Sequence, residues 1–380
     1  MAPLRQSHTF RHRPTVGFLV FSTSCLKMVS RAQPPHLLLS RSDFPGLSKQ
    51  SGQSRAPLCR NRLSRSKFRV MASLAPPGLL SREEMRLWRH PRNSRVFWDL
   101  GSIWLQVILS WGFCFLYPEA TVYFLSWLLI GGAQHGMGLV AHEGAHALLF
   151  PGSRLLNDRV TKWFFASPVC LPFSVYRERH FTHHRMVSTD QDTKELYQRE
   201  YRGVGLIWEV IRSLSGWEFF ATAAKVLMRL KKSAEKRSSK SDPLGDFQSI
   251  VFCQAIIFLI VGGLVNYILF WFVPLATTAQ LFSKIRSVVE HRPLESHSGS
   301  GNVFFMGTET PYLRSVDAAL WERLFLTRLN FHFHAEHHMW PQISYQYLPI
   351  LHQRLRQRDD HIAVFDDSYL SAIGKLWRGV

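Results

Sequence analysis

From Phe247 to Ser283 the chain runs without a single charged side chain. As one straight helix that run would be about 55 Å long, against a bilayer core of about 30 Å. Two short spans breaking near Gly262-Gly263 or Asn266 fit better. A second apolar region lies upstream. FWDLGSIWLQVILSWGFCFLY (97–117) carries one charge, Asp99, near its edge. Pro118 and Glu119 make a turn, and ATVYFLSWLLIGGAQHGMGLV (120–140) returns. The expectation is an all-α membrane protein with four transmembrane helices in two hairpins. Residues 1–96, 141–246 and 284–380 would then share one side of the membrane. All 46 Lys and Arg residues fall in those segments, and the far-side turns hold none. That asymmetry is the one that orients membrane proteins. The alternative, a large soluble protein with four buried helices, fits poorly with uncharged hairpins of this length.

The formal net charge of +19 would, in a soluble protein, suggest nucleic acid as a partner. Its location argues otherwise. Residues 1–82 hold 14 Lys+Arg and a single acid, Asp43, in a background of Ser, Arg and Pro. That is the composition of an organelle transit peptide. Three alternatives stand beside it, one of them a functional disordered arm. VGFLVFSTSCL (16–26) could be the apolar core of a signal peptide, and Met71 would make a sensible start of translation. Residues 83–96 read as a linker or interfacial helix, and 358–380 as a C-terminal tail. WFFASPVCLPF (163–173) is too short to span. VGLIWEVIRSLSGWEFFATAAKVLMRLKK (204–232) reads as one amphipathic helix lying at the interface. The five cysteines form no C-x-x-C pair, which argues against a thiolate metal site or a disulfide framework.

Eight of the 18 histidines fall in three tight clusters. The first is His142 and His146, in HEGAH. The second is His180, His183 and His184, in RHFTHHR. The third is His334, His337 and His338, in FHAEHHMWP. Residues three and four apart share a helix face, so each cluster can present its rings together. All three lie in the segments assigned to one side, where a helical cap could gather them. Eight imidazoles are too many for one metal and suit two; the ring is a good ligand for iron, zinc or copper. Taken alone, His142-Glu143-x-x-His146 is also the spelling of a zinc peptidase with Glu143 as general base. That reading leaves both H-x-x-H-H clusters unexplained.

The order H-x-x-x-H, H-x-x-H-H, H-x-x-H-H between two hydrophobic hairpins resembles the integral-membrane fatty acid desaturase and hydroxylase superfamily. The resemblance covers about residues 97–357 and extends to AHEGAHALLFPGSRLLNDRV, YRERHFTHHRMVSTDQD and NFHFHAEHHMWPQISYQYLPILH. Where the family often has Asp-Pro after the second box, this chain has Asp192-Thr193. The family implies two iron ions. One would be held by His142, His146, His180, His184 and His337; the other by His183, His291, His334 and His338, with His291 taken from IRSVVEHRP. His332 and His135 are weaker candidates, and Asn330 could be a weak or water-mediated ligand. Glu143, Glu178, Asp190, Asp192 and Glu336 are near enough in sequence to orient the imidazoles.

The chemistry so implied is O₂-dependent desaturation of an acyl lipid. A lipid or carotenoid hydroxylase or ketolase of the same superfamily is the alternative, and an intramembrane zinc peptidase a remote one. Electrons would come from ferredoxin in a plastid membrane or from cytochrome b5 in the endoplasmic reticulum. The chain lacks the His-Pro-Gly-Gly of a fused cytochrome b5, having only His90-Pro91-Arg92. No nucleic-acid partner is expected.

Overall fold

The computed structural model describes residues 78–187, 192–193, 201, 203–236, 241–291, 314–357 and 364–378. Most of the basic segment read as a targeting sequence lies outside the described residues. The helices in chain order are α1 (Arg82–Leu87), α2 (Asn93–Leu116), α3 (Ala120–Ala145), α4 (Arg154–Thr161), α5 (Phe173–Met186), α6 (Val204–Leu214) and α7 (Trp217–Lys236). There follow α8 (Pro243–Ile260), α9 (Leu264–Glu290), α10 (Leu320–Phe325), α11 (His334–Met339), α12 (Leu348–Arg356) and α13 (Tyr369–Arg378). Two short strands, β1 (Arg314–Val316) and β2 (Val364–Asp366), pair in parallel.

Four helices, α2, α3, α8 and α9, are long and apolar enough to cross a membrane. In α2 the buried Val96, Leu100, Ile103, Val107, Trp111 and Cys114 recur at spacings of three and four and face the core. The opposite face exposes Phe97, Leu105, Ile108, Leu109 and Phe113, which are equally apolar. A helix apolar on both faces suits hydrocarbon surroundings. In α3, 67% of the most apolar window is buried, against 22–39% in the other three, which makes α3 the central post. Close approach there depends on small residues. A Cβ on Gly131 would overlap the Thr278 side chain of α9, whose hydroxyl donates to the Trp127 carbonyl of α3 at 3.0 Å.

The uncharged run from Phe247 breaks at Gly262 and Gly263, both with positive φ (82° and 114°), and α9 begins directly after. Helix α9 is itself irregular. A π-helical turn spans Ile268–Phe272, and Pro274 has no N–H to offer the Phe270 carbonyl one turn back. The Trp111 indole N–H of α2 donates to that carbonyl at 3.0 Å. Gln134 of α3 donates to the Trp271 carbonyl at 2.9 Å. An unpaired carbonyl in hydrocarbon costs several kcal/mol, so these two polar side chains are where an apolar span needs them.

Residues 204–232 do not form one helix. Gly216, at φ 79°, ends α6 and starts α7 at an angle. Both helices nonetheless expose apolar faces: Trp208, Ile211 and Leu214 on α6, Trp217 and Phe220 on α7.

The segment ahead of α2 is tied down. Ser81 and Glu84 close a capping box on α1. The Trp88 ring stacks on Tyr347 at 5.5 Å, and the Trp88 carbonyl accepts the Ser344 N–H at 2.9 Å. Gln346 exchanges two hydrogen bonds with the Arg92 main chain, at 2.9 and 3.2 Å. Residues 364–378, in the stretch read as a tail, carry β2 and α13; Asp366 pairs with Arg314 at 3.3 Å and Lys375 at 2.8 Å.

The Gly131 contact generates a prediction. Gly131→Ala should lower the thermal midpoint of the detergent-solubilised protein, with overpacking costing about 1–3 kcal/mol. Gly138→Ala, where nothing lies within 4 Å of an added Cβ, should leave it nearly unchanged. Equal effects from the two variants would show that this packing is not tight.

Candidate metal centre

Four elements bring the histidines together. Helix α3 ends in His142 and His146, whose ring centroids are 5.6 Å apart. Helix α5 carries His180, His183 and His184 on its last turns, and α11 carries His334, His337 and His338. The C-terminal end of α9 delivers Glu290 and His291. All nine histidine side chains are buried except His146, which is partly so.

Five of them turn ring nitrogens to a common point. One nitrogen from each of His142, His146, His180, His184 and His337 lies within 4.8 Å of all the others. The Nε2 atoms of His142 and His337 are 2.7 Å apart, as are those of His146 and His180. His180 and His184 stand at 3.1 Å, and His184 and His337 at 3.2 Å. Two nitrogens at right angles around an ion about 2.1 Å away would be about 3.0 Å apart. A second set adjoins the first. His183, His291 and His338 meet the same limit, and His334 joins through His291, Nε2 to Nε2 at 2.8 Å. The His184 and His338 rings stack at 4.2 Å between the two sets.

Hydrogen bonding alone satisfies this arrangement poorly. A neutral ring nitrogen either donates or accepts, and the five-membered set contains no carboxylate to take up the donors. Neither ring nitrogen of His338, nor Nδ1 of His184, has a hydrogen-bond partner among the described residues. Burial holds His146 down to about 3 and His184 and His338 well below the ordinary 6.5, so the rings stay neutral. Neutral rings with converging lone pairs are the form that binds a metal, and an all-nitrogen set suits iron, zinc or copper.

Comparison with known proteins agrees with this geometry. The profile of the family described as fatty acid desaturase matches residues 118–368. The chain belongs to the fatty acid desaturase family. It is also similar to the dihydrorhizobitoxine desaturase of Bradyrhizobium elkanii, 27% identical over 276 residues, or 66% of this chain and 70% of that one. Desaturase-family membership gives a coarse reading: a membrane oxidoreductase of desaturase or hydroxylase type, with histidine clusters that could hold metal.

Around this desaturase-family centre the carboxylates behave differently from one another. Asp192, itself buried, accepts from His183 Nδ1 at 2.8 and 3.0 Å and fixes that ring by its outer edge. Glu336 accepts from the Ser315 hydroxyl and from His352 Nδ1. Glu143 is fully buried and accepts the Tyr345 N–H at 3.1 Å, holding the aromatic stretch after the third box onto α3. Glu178 is exposed, and Asp190 lies outside the described residues. Asn330 donates to the Tyr345 carbonyl at 3.1 Å and His135 bonds the Leu326 carbonyl at 2.9 Å, so both serve the scaffold. His332 is buried with neither ring nitrogen bonded among the described residues, and burial holds it down to about 3.

Three residues of the centre were not singled out from the sequence. Glu290 forms a group with His291 and His334, its carboxylate 3.3 Å from His334 Nδ1. Arg286 pairs with it at 2.8 Å, and the Tyr369 hydroxyl donates to it at 2.7 Å. Burial and the Glu290 charge push the Tyr369 phenol well above its ordinary range, so it remains a donor. Glu290 adjoins His291 and could have been found. Tyr369 gave no local signal.

Two outcomes are expected. Asp192→Ala should weaken metal retention by about tenfold or more, read by chelator competition on the purified protein; unchanged retention would show that Asp192 does not support the centre. The metal-free protein should be acid-sensitive. A ring held neutral when folded but protonating near 6.5 when unfolded contributes stability that is full above 6.5 and lost as pH falls toward about 3. Thermal midpoints should therefore decline across that window, and a flat profile would contradict it.

Proposed function

We propose that this chain is a di-iron, O₂-dependent desaturase of membrane acyl lipids. The observation that carries the reading is the pair of adjoining nitrogen sets, five histidines and four, in a buried centre of a desaturase-family chain. His142, His146, His180, His184 and His337 would hold one iron, and His183, His291, His334 and His338 the other. When bound, the two irons supply the electrons that activate O₂ and the oxidant that attacks an unactivated C–H bond. The protein's part is geometric. It buries the imidazoles and aims their nitrogens at one another.

The membrane arrangement belongs to the same proposal. Helices α2 and α3 form one hairpin and α8 and α9 the other, and the histidine-bearing elements form a cap on the side where all 46 Lys and Arg residues fall. Helices α6 and α7 then lie along the interface with their apolar faces in the bilayer. A separate electron donor is required, ferredoxin in a plastid membrane or cytochrome b5 in the endoplasmic reticulum. The basic surface on that side favours an acidic partner. The plastid assignment follows if residues 1–82 act as a transit peptide.

The test is untargeted lipid mass spectrometry of a host supplying both donors, with metal analysis of the purified chain. The parent should yield a lipid about 2 Da lighter and hold close to two irons per chain, and His184→Ala should lose both. A product about 16 Da heavier would make the chain a hydroxylase. One zinc, with activity abolished by Glu143→Gln, would replace the proposal with a peptidase.

A further inference from the structure

On the outer side of the second-box helix lies a cavity of about 330 Å³, small for a ligand site and of a size for a head group rather than a whole lipid. Among the described residues its charged lining comes from Arg179 on α5, Arg212 on α6, Glu218 and Lys225 on α7, and Lys284 on α9, four cations and one carboxylate. Arg212 and Lys284 are already committed. Each pairs with Glu218, at 3.0 and 3.4 Å, and each with Glu209 behind it. Arg179 is not. Its guanidinium donates to the neutral Thr193 carbonyl at 2.9 Å and pairs with no carboxylate among the described residues. A partly sheltered cation with no carboxylate partner among the described residues favours an anion in the space it faces.

Two further features say what kind of anion. The cavity borders the metal centre: Tyr176, in its wall, lies parallel to the His180 ring at 5.5 Å, and Arg179 is the residue before His180. Its other boundary is α6 and α7, whose far faces expose Trp208, Ile211, Leu214, Trp217 and Phe220. The remaining wall, including Val175 and Val226, is apolar. An amphiphile meets all of this at once.

We infer that this cavity receives a negatively charged head group, carboxylate or phosphate, of the acyl carrier on which the enzyme acts. The inference rests on the acyl-lipid reading above and narrows it to anionic carriers. A neutral head group would leave the Arg179 charge unanswered on binding.

Binding, which needs no turnover, is the test. Full-length protein in neutral-lipid nanodiscs would be titrated with three probes bearing the same brominated acyl chain, and tryptophan quenching followed. The probes are lysophosphatidic acid, the free fatty acid and the monoacylglycerol. At least one anionic probe should bind about tenfold or more tightly than the neutral one, and that preference should shrink with salt. Comparing phosphate with carboxylate identifies the anion. Arg179→Gln should remove most of the preference while leaving neutral binding unchanged, and Lys225→Gln, from a different helix and exposed, should shift it the same way. Neutral binding as tight as both anions, or two variants that keep the full preference, would overturn the inference. Metal content is measured alongside. If Arg179→Gln loses metal, Lys225→Gln decides. An anion preference in a protein that makes no desaturated lipid would sink the functional reading and leave the cavity's selectivity standing.

Discussion

Nine imidazoles turned toward one another in a buried space is the constraint on which this structure depends. Burial holds His146, His184 and His338 neutral, and neither ring nitrogen of His338 nor Nδ1 of His184 has a hydrogen-bond partner among the described residues to offset its desolvation. A cation between them resolves both difficulties. The surrounding protein reads as a means of enforcing that crowding: α3 as a buried post, α5 and α11 laid across its end, and α9 bringing His291 and Glu290 from the other side. Asp192 and Glu290 grip two rings from behind, at His183 Nδ1 and His334 Nδ1. On the reading proposed above, folding and metal capture would be coupled.

The membrane-spanning frame solves a separate problem with ordinary means. Gly131 lets α9 approach α3, and the Gly262-Gly263 pair allows the chain to reverse. Pro274 and the π turn bend α9, and each carbonyl they release finds a side-chain donor on a neighbouring helix. The apolar outer faces need no partner in hydrocarbon.

Much of this was legible in the sequence because it is local. Uncharged runs announce spans, and H-x-x-x-H and H-x-x-H-H place rings on one helix face whatever the tertiary context. The partition of five and four histidines came from family resemblance; the fold groups His142, His146, His180, His184 and His337 in one place, and His183, His291 and His338 in another, with His334 beside His291. What could not be read is non-local. Tyr369 reaches Glu290 across 79 positions of sequence, and β1 meets β2 across 50. Gly216 was visible as a residue, but amphipathic periodicity continues through it, so α6 and α7 read as one helix. Glu143 looked like a catalytic base by its spelling; its carboxylate turns to the Tyr345 main chain.

The short clamp ahead of the first span has a practical meaning for anyone handling this protein. Trp88 and Arg92 are fastened to the very stretch, Ser344 to Tyr347, that follows the third histidine box, and that stretch is in turn held by Glu143. Contacts of the described residues with the rest of the fold begin as early as Leu79 and Leu80, well before the hydrophobic run begins. A tag placed upstream of Leu79 leaves every one of these fastenings in place. A cut at Phe97, where the apolar sequence visibly starts, would remove these fastenings together with the first turn of α2 and its buried Val96.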